Sequence, residues 1–200
     1  ASGTLAADNA YLDVTFDEGV YGAGDGATAL TADKLALAFI KNGGTATDAV
    51  INSVKKNDSA SEGSASALAG GETTVRVFLT VTGTPNGLET IEVKPFDGTS
   101  IYDKAGNVAS ALQSTGAKTL NDKTLPVLAG AARTDDTHIT VTLSKDCINI
   151  TKNNDGGFTV EETGNPGATY AVSAIAQGDD ASHVVLTVAN LGVSGKEGVT

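Results

Sequence analysis

Five short stretches near the start of the chain return, in the same order, in its second half. Leu12-Asp-Val-Thr-Phe16 lines up with Ile139-Thr-Val-Thr-Leu143, an offset of 127 residues (139 against 12). Leu37-Ala-Phe39 lines up with Phe158-Thr-Val160, and Val50-Ile-Asn-Ser-Val54 with Tyr170-Ala-Val-Ser-Ala-Ile175. Val75 to Gly83 matches Val184 to Gly192, and Gly87 to Ile91 matches Gly195 to Val199. A chain whose halves recur strand by strand while only the loops change length is two copies of one fold.

The repeated stretches are strands. Ala10 to Phe16 alternates Leu12, Val14 and Phe16 against Tyr11, Asp13 and Thr15, and a period of two gives one buried face. Asp17-Glu18-Gly19 reads as a break in that strand. Residues 35–40, 49–55 and 73–81 read as further strands, with Thr31 placed to cap a short helical turn, and 57–71 reads as a polar loop. Leu88 to Asn107 begins as a strand, breaks at Pro95, turns through Asp97-Gly98 and resumes at Ser100-Ile101-Tyr102. It reads as the closing strand pair of an antiparallel sandwich. In the second half His138–Leu143, Gly157–Glu161, Tyr170–Ala176 and His183–Val188 read as strands. The expected fold class is therefore all-β, two tandem antiparallel β-sandwiches, over residues 1–122 and 127–200 with a linker at 123–126.

The second alignment stops at the counterpart of Ile91, so the second sandwich is expected to lack its last strands, those matching Glu92 to Asn107. Either the chain is a piece of a longer array, or another chain donates the missing strand; the piece is the expectation.

Composition narrows the function classes. The net charge of −11 is shared by both halves, which disfavours nucleic acid and anionic membranes as partners and favours cations. No apolar run is long enough to span a bilayer. The single cysteine, Cys147, falls opposite Val20 and reads as a small buried hydrophobe. His138 and His183 sit at separate strand starts, so neither a zinc site nor a Cys–His dyad is expected. Gly22 to Gly26 lacks the Lys-Ser/Thr of a phosphate loop. There is no Trp to stack on sugars. Asn57-Asp-Ser59 and Asn149-Ile-Thr151 have the form of glycosylation sequons and read as incidental. The chain is expected not to be an enzyme.

GLETIEVKPFDGTSIYDKAGN (residues 87–107), with ALAGGETTVRVFLTVTG and DNAYLDVTFDEGVYG before it, resembles a bacterial immunoglobulin-like repeat. Such repeats occur in tandem in very large surface and secreted proteins, among them the cyanobacterial cell-surface protein needed for swimming. ITVTLSKDC, GFTVEE, HVVLTV and GKEGVT in the second half resemble a more divergent copy. The resemblance implies immunoglobulin-like sandwiches with a non-catalytic structural or adhesive role (spacer, surface layer, filament or adhesin stalk) outside the cell. The implied partners are neighbouring repeats, other copies of the chain, or cell-surface glycan. The alternatives are a calcium-dependent glycan-binding accessory domain of a secreted enzyme, and a filament subunit assembling by strand exchange.

Calcium takes six to eight oxygens from carboxylates, amide side chains and carbonyls. Asp17 and Glu18 after the first strand, Asp25 in the glycine loop, Asp103 and Asn107 on a tight turn, and Asp122 in the linker supply such groups. The competing reading of Asp103-Lys-Ala-Gly-Asn107 is a turn whose Asp accepts local backbone bonds.

Overall fold

The computed structural model describes residues 1–147, 150, 157–162, 167–189 and 191. These residues form an all-β protein of antiparallel sheets. The only helical element among them is a 3-10 turn at Ala32–Lys34, preceded by Thr31 as expected but without a side-chain cap bond. The chain divides into two compact units, Ala1–Thr124 and Leu125–Thr200.

In the first unit β1 (Ser2–Leu5), β2 (Tyr11–Val20), β5 (Glu72–Thr82) and β4 (Asp48–Lys55) form one sheet in that order. β3 (Leu35–Ile40), β6 (Thr90–Pro95) and β7 (Lys118–Thr119) form the other. Val14, Val75 and Val77 from the first sheet and Leu35, Ile91 and Val93 from the second share one core. Burying each such side chain contributes about 1.5–3 kcal/mol, which sets the inward face of every strand.

β5 is buried on both faces. Val75, Val77 and Leu79 point inward, while Arg76 (8 % exposed) and Phe78 (3 %) lie on the outer face. They are covered because residues 57–71, read from sequence as a plain loop, fold over the sheet. Arg76 donates two parallel bonds of 2.7 Å to Asp13 and a third of 2.7 Å to the Ser59 carbonyl. Its guanidinium lies 3.7 Å over the Tyr11 ring. The bidentate pair and the stacking satisfy a charge that burial would otherwise penalise.

Three readings of this unit are corrected. Asp17-Glu18-Gly19, read as a break, interrupts the ladder but not the strand: β2 runs through to Val20, and its pairing with β5 is irregular between Thr15 and Val20. Gly19 passes Gly71 so closely that a Cβ would meet the Gly71 oxygen at 2.6 Å, which restricts this position to glycine. Ser100-Ile101-Tyr102 is not a strand. Ile101 drops into the core at 1 % exposure, and Tyr102 makes only isolated bridges to Tyr21 and Val108. Nor does residue 107 close the sandwich. β6 is the middle strand of its sheet, and closure falls to β7 and the buried Leu120.

The end of this unit is joined to its beginning. Ala1 bonds Gln113, Gly3 lies against Thr115, and Asn9 bonds Asn121. The spacing is the same in each pair, so residues 1–9 and 113–121 run parallel, side by side.

The second unit rebuilds the first sheet. β8 (Leu128–Arg133), β9 (His138–Leu143), β13 (His183–Val188) and β12 (Val172–Gln177) stand in the order β8-β9-β13-β12. Leu12 pairs with Val77 and Val14 with Val75; at matching positions Ile139 pairs with Leu186 and Val141 with Val184. Ile51 pairs with Leu79 and Val54 with Val77, as Val172 pairs with Val188 and Ile175 with Leu186. Even the irregularity recurs, between Ile51 and Ser53 and again between Val172 and Ala174.

Other features differ. Tyr170–Ala176, expected as one strand, divides into β11 (Thr169–Tyr170), which pairs with β10 (Val160–Glu161), and β12, which pairs with β13. Phe158 and Thr159 precede β10 and do not belong to it. The β12–β13 connection is only Gly178 to Ser182, so it holds no equivalent of the 57–71 loop. The positions of Tyr11, Asp13 and Arg76 are held by His138, Thr140 and Val185. Cys147, expected buried, is half-buried, with its N–H donated to the Ala181 carbonyl at 2.7 Å. It follows the end of β9, where no inward strand position exists. The sequon at Asn149 and the end of the second alignment, 192–200, lie outside the described residues.

Candidate functional site

The sequence-named oxygen groups gather mainly at one end of the first unit. The bridge between Tyr21 and Tyr102, with N–H···O distances of 2.8 and 2.9 Å, ties the end of β2 to the 101–109 segment. Beside it is a cleft of about 120 Å³ whose lining includes Asp17, Glu18, Asp103 and Asn107. The Asp25 loop packs against the same turn: at Gly26 (φ +64) a Cβ would meet the Lys104 oxygen at 2.6 Å. Only glycine fits both that conformation and that approach.

The oxygens are largely engaged. Asp103 accepts the Asn107 side-chain amide at 2.7 Å and its backbone N–H at 2.8 Å, which together hold its carboxyl below the usual range. Asp25 accepts the Thr28 hydroxyl and the N–H groups of Thr28 and Ala27, and is pulled down to about 2. Asp122 is elsewhere, with Oδ1 accepting from both the N–H and the hydroxyl of Thr124. The Asp17 and Glu18 carboxylates make no hydrogen bond or ion pair with the described residues. The cleft therefore brings together four of the six residues. Their donors surround a space without converging on a point.

One convergent group was passed over by sequence reasoning. Among the described residues, Asp179, Asp180 and His183 are the only trio of Asp, Glu, His or Cys whose ligand atoms all lie within 4.8 Å of one another. They occupy the tight β12–β13 turn, and the spacing Asp-Asp-x-x-His was the available signal. His183 Nδ1 is 2.8 Å from Asp180 and 3.3 Å from Asp179. Neither approach has hydrogen-bond alignment, so these are charge contacts that require a protonated imidazole. Asp180 also accepts the N–H and hydroxyl of Ser182, and those bonds together with His183 hold it at about 2. The other histidine, His138, contacts Asp135 at 2.8 Å. In the sheet His138 faces Thr187 and His183 faces Thr142, so the two histidines sit at opposite ends of the strand pair and share no site.

No family model, curated protein or solved structure matches the chain. No helix among the described residues is long and apolar enough to cross a membrane.

Proposed function

We propose that the chain is a non-catalytic structural module, two immunoglobulin-like repeats of a large extracellular bacterial surface protein, acting as a spacer or adhesin stalk. The observation that carries this is the parallel run of residues 1–9 beside 113–121. A pull on the two ends of the first unit draws these segments past each other in opposite directions. The Asn9–Asn121 and Ala1–Gln113 bonds and the close Gly3–Thr115 packing are then loaded together. A second unit with the same four-stranded sheet in the same register supports a serial arrangement. Held at its two ends in a force spectrometer, the first unit should resist a higher force than when held at Ala1 and Leu112. The latter geometry peels the same contacts one at a time. Equal forces in the two geometries would remove the load-bearing role.

A second reading, calcium at the cleft, is favoured by the gathering of Asp17, Glu18, Asp103 and Asn107. An ion there would draw the Asn107 amide off Asp103 and recruit the two unengaged carboxylates. Thermal unfolding followed by circular dichroism should then shift upward in calcium relative to chelator; an unchanged transition would discard the ion and the calcium-dependent glycan contact with it.

A further inference from the structure

β3 is an edge strand without the usual protection. It reads Leu-Ala-Leu-Ala-Phe-Ile from Leu35 to Ile40 and pairs with β6 along its whole length with no irregularity. Its other edge pairs with no strand among the described residues. Natural edges are blunted by charge, proline, a bulge or a cover; these six residues carry no charge, proline or bulge. Between this edge and β4 runs a groove of about 380 Å³ lined by Leu35, Leu37, Ala49, Val50 and Ile51, with Val50 47 % exposed. The second unit treats the same corner differently. There β10, which aligns with β3, is hydrogen-bonded to β11, and β11 leads straight into β12, the counterpart of β4. The edge taken up in one unit is open in the other.

We propose that the β3 edge is a self-association surface. A second copy of this chain pairs its own β3 antiparallel to it, joining two three-stranded sheets into one of six strands. Charge selects this partner and the register. A chain of net charge −11 meets its own copy only where surfaces are uncharged or complementary. The strand is uncharged, and its flanks are Asp33 on one side and Lys41 on the other, both exposed. Lys41 makes no ion pair with the described residues. Centring the pair on Leu37 sets Leu37 against its copy, Ala36 against Ala38, Leu35 against Phe39, and Asp33 against Lys41 twice over. Slipping one residue one way would instead set Lys34 against Lys41, and slipping the other way would lose both Asp33–Lys41 pairs, leaving these residues opposite Ile40 and Ala32. In the favoured register Leu35, Leu37 and Phe39 of both copies lie on the inner face, where the incoming strand fills the groove over Val50. A two-fold contact closes at two copies.

One strand pair is a small interface, so the dimer belongs to the weak class, read by sedimentation of the full chain up to about 0.5 mM. The wild type should show a concentration-dependent dimer. Lys41→Glu and Asp33→Lys each put like charges opposite at two places and should raise the dissociation constant about tenfold. The double exchange, Asp33→Lys with Lys41→Glu, should restore it. Both positions are exposed and outside the core, so circular dichroism should show each variant folded. A wild type monomeric throughout the range overturns the proposal. So does association indifferent to the single exchanges, unrestored by the double one, or continuing beyond two copies.

Discussion

Glu89→Ala should destabilise the first unit by about 4 kcal/mol, the largest effect of any single side chain outside the apolar core. Glu89 is fully buried and makes no ion pair among the described residues. Its Oε1 accepts the Ala46 N–H at 2.7 Å and its Oε2 the Asn86 N–H at 3.1 Å, so one carboxylate joins the β3–β4 turn to the β5–β6 turn. Room for it exists because residue 44 is glycine, where a Cβ would stand 2.2 Å from the Glu89 carboxyl carbon. Burial pushes this carboxyl up, but the N–H groups of Ala46, Glu89 itself, Asn86 and Thr45 pull it down further, and the net direction is below the ordinary value. A depressed folded value means the stabilisation is present above the unfolded pKa, near 4.3, and is lost as pH falls through the lower folded value. The gap between wild type and Glu89→Gln should be full at pH 7 and narrow in acid. With no Trp, unfolding is best followed by tyrosine emission, which reports mainly the first unit because three of the four tyrosines are there. A gap that does not change with pH would mean the carboxylate is not the ionised acceptor described.

What was legible in the sequence was whatever the core enforces. β5 and β13 could be read because large apolar side chains alternate over their length, and the halves could be aligned because both sheets bury the same register. β1 and β8 left no such trace. Ser-Gly-Thr-Leu and Leu-Ala-Gly-Ala-Ala-Arg are edge strands whose small residues are half-buried or exposed, so nothing in them records a face. β7 is two residues long, and its partner in closing the core, Leu120, is a lone apolar residue among polar ones. At the cleft, the acidic and amide side chains that suggested calcium were visible. Their commitments were not, because Asp103 with Asn107, and Asp25 with Thr28, are turn bonds that look the same in sequence as unused ligands. Glu89 shows the reverse: a glutamate in Gly-Leu-Glu-Thr gives no sign that three-dimensional closure will bury it.

Asn9→Ala should cost about 3 kcal/mol, the loss of three part-buried hydrogen bonds and a conformational penalty together. Asn9 is 4 % exposed and sits at φ +64, a left-handed conformation that asparagine tolerates and alanine does not. Its carboxamide stands in for a strand. Nδ2 donates to the Asn121 carbonyl and Oδ1 accepts the Asn121 N–H, both at 2.9 Å, while the Asn121 side chain returns bonds to Asn9 Oδ1 and the Ala6 carbonyl. Asn9→Gly separates the contributions, since it keeps the backbone conformation and loses only the bonds; it should cost less than alanine, about 2 kcal/mol. Asn9→Asp is the sharper probe. At pH 7 it sets a carboxylate against the Asn121 carbonyl, which disfavours the charged form in the folded state and raises its pKa. Stability should therefore be lowest at neutral pH and recover as the acid protonates and can donate again, a trend opposite in sign to the contribution of Glu89. Urea unfolding across pH reads both, and an aspartate variant with the pH profile of the wild type would show that the carboxamide does not hold the ends of the unit together.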